Sequence, residues 1–252
     1  MRTLFLAGHS DSGARYLPEG VAPWPERTRQ FLADQTGEPW ALTEVRFAPI
    51  GAGAADYLLA KVEAASPDIL LLPFTAYLCT VGTVAESVRA RFGSRAAKLF
   101  ERSESGFQAR TREGKTRRTV NRRSRLAARK ILGTRTLATV EQVGDIYEEV
   151  LHRLARLESL QVLAIEDARF SAEIQSREPK LHQRIDQLYA RVLPVARSHH
   201  FAIANVEAAL RAAPDRNIFH QPDGVHTTAA FHDIFFGVVK AGTEEILARQ
   251  AR

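Results

Sequence analysis

Leu4-Phe5-Leu6-Ala7-Gly8-His9-Ser10 opens the chain with an apolar run that ends in Gly-x-Ser. A short apolar run closed by glycine reads as a buried strand over 3–7 and a loop over 8–20. Pro25 suits the first turn of a following helix, where a missing N–H costs nothing, and Gly37 is placed to close it. The same alternation then repeats. A strand is predicted over 42–47 and a helix over 54–65, with Leu58, Leu59 and Val62 on one face. Ile69 to Leu72 is a continuous apolar run, the pattern of a strand covered on both faces.

Farther on, helical spacing is read over 84–91, 95–101, 119–132, 140–157, 180–199 and 227–248. Short strands are read over 161–165 and 201–204, and residues 102–118 are polar and read as a loop. The helix over 140–157 carries Val143, Ile146, Val150 and Leu154 at helical spacing; the last helix carries Phe231, Phe235, Val238 and Ile246. Strands alternating with helices predict an α/β fold, a central mostly parallel sheet between two helical layers. Ligands of such sheets bind beyond the carboxyl ends of the strands. Ser10, Gly51, Gly53 and Tyr77 all follow predicted strand ends, so they are expected at one rim.

Composition sets the outer bounds. A chain of 252 residues with 45% hydrophobic residues has enough material for a substantial core. The single cysteine, Cys79, excludes an internal disulfide framework, and it reads as buried filler. The four apolar residues near the start are too few for a signal peptide, and no stretch is long enough for a membrane-spanning helix. A cytoplasmic protein is expected. No cluster of metal-ligand spacing is evident, so neither a metal nor an organic cofactor is expected.

The chemistry comes from both ends of the chain. Asp223-Gly224-Val225-His226 stands just before the last helical pattern. A serine hydroxyl needs a base within hydrogen-bond reach, and the base needs an acceptor on its second ring nitrogen. Ser10, His226 and Asp223 supply these three roles, with Gly224 allowing the loop to turn. Ser12 competes as nucleophile and His220 as base. Ser10 is preferred because it follows the strand-ending glycine most closely, and His220 has no carboxylate at useful spacing.

These residues resemble the SGNH, or GDSL-type, hydrolase family. Gly8-His9-Ser10 stands where the family has Gly-Asp-Ser, and Asp223 and His226 fit its Asp-x-x-His block. His9 replaces the usual Asp or Asn; it can fix the loop or face the pocket. The resemblance covers residues 1–78 and about 160–249. It implies an oxyanion site built from the Ser10 N–H, a glycine and an asparagine. Pro49-Ile50-Gly51-Ala52-Gly53-Ala54 matches the glycine block, with Gly53 preferred over Gly51 because a helix opens directly after it. The asparagine block is altered: after the strand the chain reads Pro73-Phe74-Thr75-Ala76-Tyr77. Tyr77 supplies a donor there, or Thr75 does, or only two donors exist; a purely structural Tyr77 is the alternative.

The net charge of +6 comes from one segment. From Arg110 to Arg135 there are eleven Lys or Arg and one acid, Glu113. Arg118, Arg122, Arg125 and Arg129 recur at helical spacing and form one cationic stripe, suited to phosphates, an acidic carrier protein, anionic lipid or nucleic acid. The bland reading is a solvated face. Aromatics are absent between Gln108 and Asp145, which counts against a single-strand nucleic-acid binder.

The chain is thus expected to form a single SGNH-like domain, residues 1–252, with a basic helical insertion at about 79–158 capping the site. The expected function is serine-esterase hydrolysis of a small-molecule ester, anionic or carrier-linked, through an acyl-Ser10 intermediate. An acyltransferase using the same triad is the alternative. From another class, a degenerate binding module would use the basic insertion.

Overall fold

The computed structural model describes residues 1–8, 12–14, 17–80, 82–111, 131, 133–168, 174, 176, 180–213, 217–220 and 227–251, with the backbone alone over 100–111. The chain forms two compact units, Met1–Ala76 with Val140–Arg252, and Tyr77–Thr139.

The first unit is built on five parallel strands in the order β2-β1-β3-β4-β5. They are β1 (Arg2–Gly8), β2 (Trp40–Arg46), β3 (Ile69–Pro73), β4 (Gln161–Glu166) and β5 (Ala202–Asn205). The chain leaves β1 toward one edge and returns past it to β3. That reversal is the topological switch point, where a parallel α/β sheet opens a crevice beyond its carboxyl ends. Every residue of β3 is buried, as its unbroken apolar run requires for a central strand.

Helices cover both faces. On one lie α1 (Trp24–Thr36) and, from the chain's end, a helix over Ala229–Gln250. On the other lie α2 (Ala54–Ala65) and two helices over Val140–Leu154 and Leu181–Ser198. The result is the expected three-layer sandwich. The local signals behave as read: Pro25 sits in the first turn of α1, and Gly37 closes it at φ 68° with its N–H on the Ala33 carbonyl.

Leu4, Leu6, Ile69, Leu71, Leu163 and Ile165 pack under Trp24, Phe231 and Phe235. Trp24 stacks on Phe235 with ring centroids 4.4 Å apart. Each such side chain withdrawn from water contributes about 1.5–3 kcal/mol. Gly242 lets the last helix approach the sheet, since a Cβ there would lie 2.6 Å from Cδ1 of Leu163.

The second unit holds α3 (Tyr77–Thr80) and α4 (Val84–Thr111), with a backbone bridge between Thr83 and Arg135. Helix α4 breaks at Gly93, between the two helical segments expected there. It then continues through 102–111, where a loop was expected. Arg, Glu, Gln and Ala there favour helix, and one glycine costs only about 1 kcal/mol.

The helix over Val140–Leu154, α5, belongs to the first unit, so residues 140–158 of the segment read as an insertion are part of the sheet-bearing unit. Tyr147 rather than Ile146 faces its core. The helix over Leu181–Ser198 is α6, a short one over Val206–Ala212 is α7, and the last is α8. The basic helix expected over 119–132, with Arg118, Arg122, Arg125 and Arg129, lies outside the described residues, Ile131 excepted. No described helix is long and apolar enough to cross a membrane.

Candidate active site

Three chain segments border the carboxyl rim of the sheet around the switch point. The first follows β1. Gly8 ends that strand in a tight place: a Cβ there would lie 2.8 Å from both Glu44 Oε1 and Ser12 Oγ, so a larger residue would make those side chains move. The Gly8 carbonyl accepts from the N–H of Phe47, tying the end of β1 to the end of β2. Ser12 is 1% exposed, packed beside Gly8. Ser10 and His9 lie outside the described residues.

The second segment follows β2. Gly51 and Gly53 adopt φ 82° and 84°, a left-handed conformation that favours glycine. Gly53 caps α2, and its carbonyl accepts from the N–H of Tyr57 at 2.9 Å. Among the described residues neither glycine N–H has an acceptor, and both residues are exposed. The turn therefore presents backbone donors at the start of a twelve-residue helix, where the helix dipole favours negative charge.

The third follows β3, where the sequence lacks the asparagine block. Two buried phenols tie it down. Tyr147 on α5 donates to the Pro73 carbonyl at 3.2 Å and accepts from the Thr75 N–H at 3.0 Å. Its ring meets Phe74 edge-on at 5.0 Å. Tyr189 on α6 has its hydroxyl 3.2 Å from the Phe74 carbonyl and 3.1 Å from that of Asp167. Burial raises the Tyr189 phenol well above its ordinary pKa, with Asp167 and Glu166 adding to the rise, so it stays a donor. The Thr75 N–H is thus spent inside the protein. Tyr77, 38% exposed, opens the second unit at the start of α3.

The start of α8 completes the rim. This helix runs against the strands. At its far end Arg249 donates to the His200 carbonyl, just before β5, and Gln250 accepts from Arg2 at the foot of β1. Its first turn therefore lies at the edge where β1 ends. Thr228 caps it, accepting from the Phe231 N–H. His220 and Thr227 form an antiparallel bridge. The Thr228 hydroxyl donates to the Ile218 carbonyl at 2.6 Å, and its N–H to that of Phe219 at 3.2 Å. These contacts hold together the residues on either side of 221–226. Asp223 and His226 fall within that segment, outside the described residues. His220, the competing base, is one of these flanking residues.

Behind these flanking residues lies one that the sequence reading did not single out. His232 is 2% exposed. Its Nδ1 accepts from the N–H of Trp24 at 3.2 Å, and its Nε2 lies 3.4 Å from the Thr227 hydroxyl. Burial, then Arg27, push its pKa down to about 4, with Asp233 opposing. Its signal was a histidine between Phe231 and Phe235 on an apolar helical face. Among the described residues no three His, Cys, Asp or Glu side chains are grouped to hold a metal.

The structure thus places Gly51 and Gly53 in the turn between β2 and α2, and the described flanks of Ser10, Asp223 and His226 at the end of β1 and the start of α8. It places Tyr77 in the second unit.

The sequence matches no protein-family model and no curated protein. The fold does have solved counterparts. A lipase/acylhydrolase from Enterococcus faecalis superposes with a TM-score of 0.54 at 17% identity, over 99% of this chain and 97% of that one. An acetylxylan esterase from Geobacillus stearothermophilus, solved as a catalytic mutant, gives 0.51 at 11% identity over 96% and 93%. A candidate GDSL-like lipase from Parabacteroides merdae gives 0.52 at 11% over 96% and 95%. These identities speak for architecture alone: the chain has the three-layer α/β fold of these hydrolases, the fold that the SGNH, or GDSL-type, resemblance implies.

Proposed function

We propose that this protein is a serine hydrolase of carboxylic esters, with Ser10 as nucleophile, His226 as base and Asp223 as its orienting carboxylate. One observation carries the reading. β1 ends at Gly8, two residues before Ser10, and α8 begins three residues after His226, and these two ends share the carboxyl rim of the sheet. Nucleophile and base thus come from segments that start at the same edge. The solved structures of this fold named as lipases and esterases support the same reaction class.

The chemistry follows from the groups. His226 takes the proton of Ser10 as its oxygen attacks the ester carbonyl. Asp223 holds the imidazole and stabilises the cation that forms. The carbonyl oxygen becomes an oxyanion, received by the Ser10 N–H and the N–H of Gly53 or Gly51. Collapse expels the alcohol, which leaves with the proton from His226. Water then enters and attacks the acyl group as it gives a proton to His226, and collapse releases the acid as His226 returns that proton to the Ser10 oxygen. No metal or cofactor is needed for any of these steps.

Ser12 is a poor alternative, because its hydroxyl is packed beside Gly8 and out of reach of substrate. A fluorophosphonate probe should therefore label Ser10. Ser10→Ala should abolish labelling and ester turnover, while Ser12→Ala keeps both. Undiminished turnover by Ser10→Ala would falsify the assignment. His226→Ala should be nearly as damaging as Ser10→Ala, and Asp223→Asn no more so.

A further inference from the structure

We infer that His232 is a positioning residue for the proposed catalytic base His226, acting through Thr227, the residue directly after it. The inference rests on the reading of Asp223 and His226 given above.

The tautomer is dictated by the partners. A backbone N–H can only donate, so the nitrogen facing Trp24, Nδ1, must be the acceptor. In a neutral imidazole the proton then sits on Nε2, which faces the Thr227 hydroxyl 3.4 Å away. The contact is long, but both residues are buried, so bulk water does not compete for it. A protonated ring would set a donor against the Trp24 N–H.

Trp24 is the first residue of α1, and its N–H is one of the four that a helix start leaves without an internal partner. Pro23 offers α1 no side-chain cap, so His232 supplies one from 208 residues away. On its other side the same ring meets the residue directly after His226. Thr227 also bridges His220. One rigid ring therefore ties Thr227, directly after residues 221–226, to the start of α1. That helix follows the segment holding Ser10. A neutral imidazole offers an acceptor and a donor on one rigid planar ring.

Two substitutions remove the Thr227 side and leave the Trp24 side in place. Asn in His232→Asn puts an oxygen near the place of Nδ1 and keeps the cap on Trp24, but loses the contact to Thr227. Thr227→Val keeps the shape and removes the hydroxyl. Each should lower kcat about 10- to 100-fold with KM within threefold, because small misplacements of a catalytic group cost rates of that order. The pKa of His226 in the kcat/KM pH profile should move in both. The double variant should be no slower than the slower single, as expected for one shared contact.

Histidine 15N spectra of the wild type should place the His232 proton on Nε2, whatever the activity. Wild-type kcat in both single variants, with stability alone reduced, would overturn the inference, as would a proton on Nδ1. His226→Ala is the control. Turnover kept in that variant would sink the base assignment and this inference together. Turnover lost there but kept in both other variants would sink this inference alone.

Discussion

The backbone N–H of Trp24 donates to Nδ1 of His232 across 3.2 Å, so the starts of α1 and α8 share one buried imidazole. That relationship has a measurable pH signature. The ring's pKa lies at about 4 in the folded protein against an ordinary 6.5, because burial and Arg27 oppose its charge while Asp233, paired with Arg27, only partly offsets them. Between those values the unfolded chain binds a proton that the native protein does not. The contribution to stability is therefore complete above about pH 6.5 and is lost as pH falls toward 4. Its full size is about 3 kcal/mol. Urea unfolding of wild type and His232→Asn at pH 7.5, 6, 5 and 4.5 checks it. The difference between the two proteins should shrink as pH falls, and a constant difference would show that the ring titrates alike in both states.

The paired glycines separate turn geometry from catalysis. Gly51→Ala and Gly53→Ala meet no steric obstacle, since open space surrounds both added Cβ positions. Each should cost about 1–2 kcal/mol from the left-handed backbone alone. If the Gly53 N–H receives the oxyanion, relaxation of the turn re-aims it, and kcat should fall about 100-fold in Gly53→Ala. Gly51→Ala should match it in stability but lose far less rate. The reverse ranking would move the donor to Gly51. Tyr77→Phe belongs in the same assay: a donor there shows as a loss of kcat with KM nearly unchanged, and a change under about threefold excludes that role.

What was legible in the sequence was local. The apolar run of β3, Pro25 and Gly37 around α1, and the helix opening at Ala54 each announce themselves within a few residues. Of the proposed site, only the flanks can be compared: Gly8 ends β1 as read, and residues 221–226 stand just before α8. What could not be read depends on distant partners. Tyr147 meets Thr75 across 72 positions, Tyr189 meets Phe74 across 115, and His232 meets Trp24 across 208. Helix α5 shows an apolar face, but nothing in that face says which unit it covers, so the insertion was drawn too long. The altered third block makes the same point. The missing asparagine was visible, while the two phenols that hold the backbone there were not.

Those phenols should differ in weight. Tyr147→Phe strands the Thr75 N–H and removes a donor from the Pro73 carbonyl. Tyr189→Phe removes a donor from carbonyls only. A stranded N–H is costlier than an under-used carbonyl, which has two lone pairs and tolerates losing one partner. Tyr147→Phe should cost about 1–3 kcal/mol and Tyr189→Phe less. Denaturant midpoints at equal slope give the comparison directly. Equal costs would mean that water reaches Thr75 in the variant.

The last prediction concerns the basic segment, and it rests on sequence. Eleven Lys or Arg against one acid over 110–135 concentrate charge that repels itself. An anionic partner or substrate offsets that cost. We propose that the stripe of Arg118, Arg122, Arg125 and Arg129 recognises the anionic part of the natural ester or of the carrier that bears it. Arg118→Glu with Arg125→Glu should then weaken turnover of an anionic ester while leaving a small neutral ester nearly unchanged. The preference should fade as salt rises, since exposed charges are screened beyond about 8 Å at physiological ionic strength. Equal loss on both esters would point to a folding defect, and no loss on either would make the segment a solvated face. Salt-dependent nucleic-acid binding by a protein whose Ser10 resists the probe would favour a binding module over an enzyme.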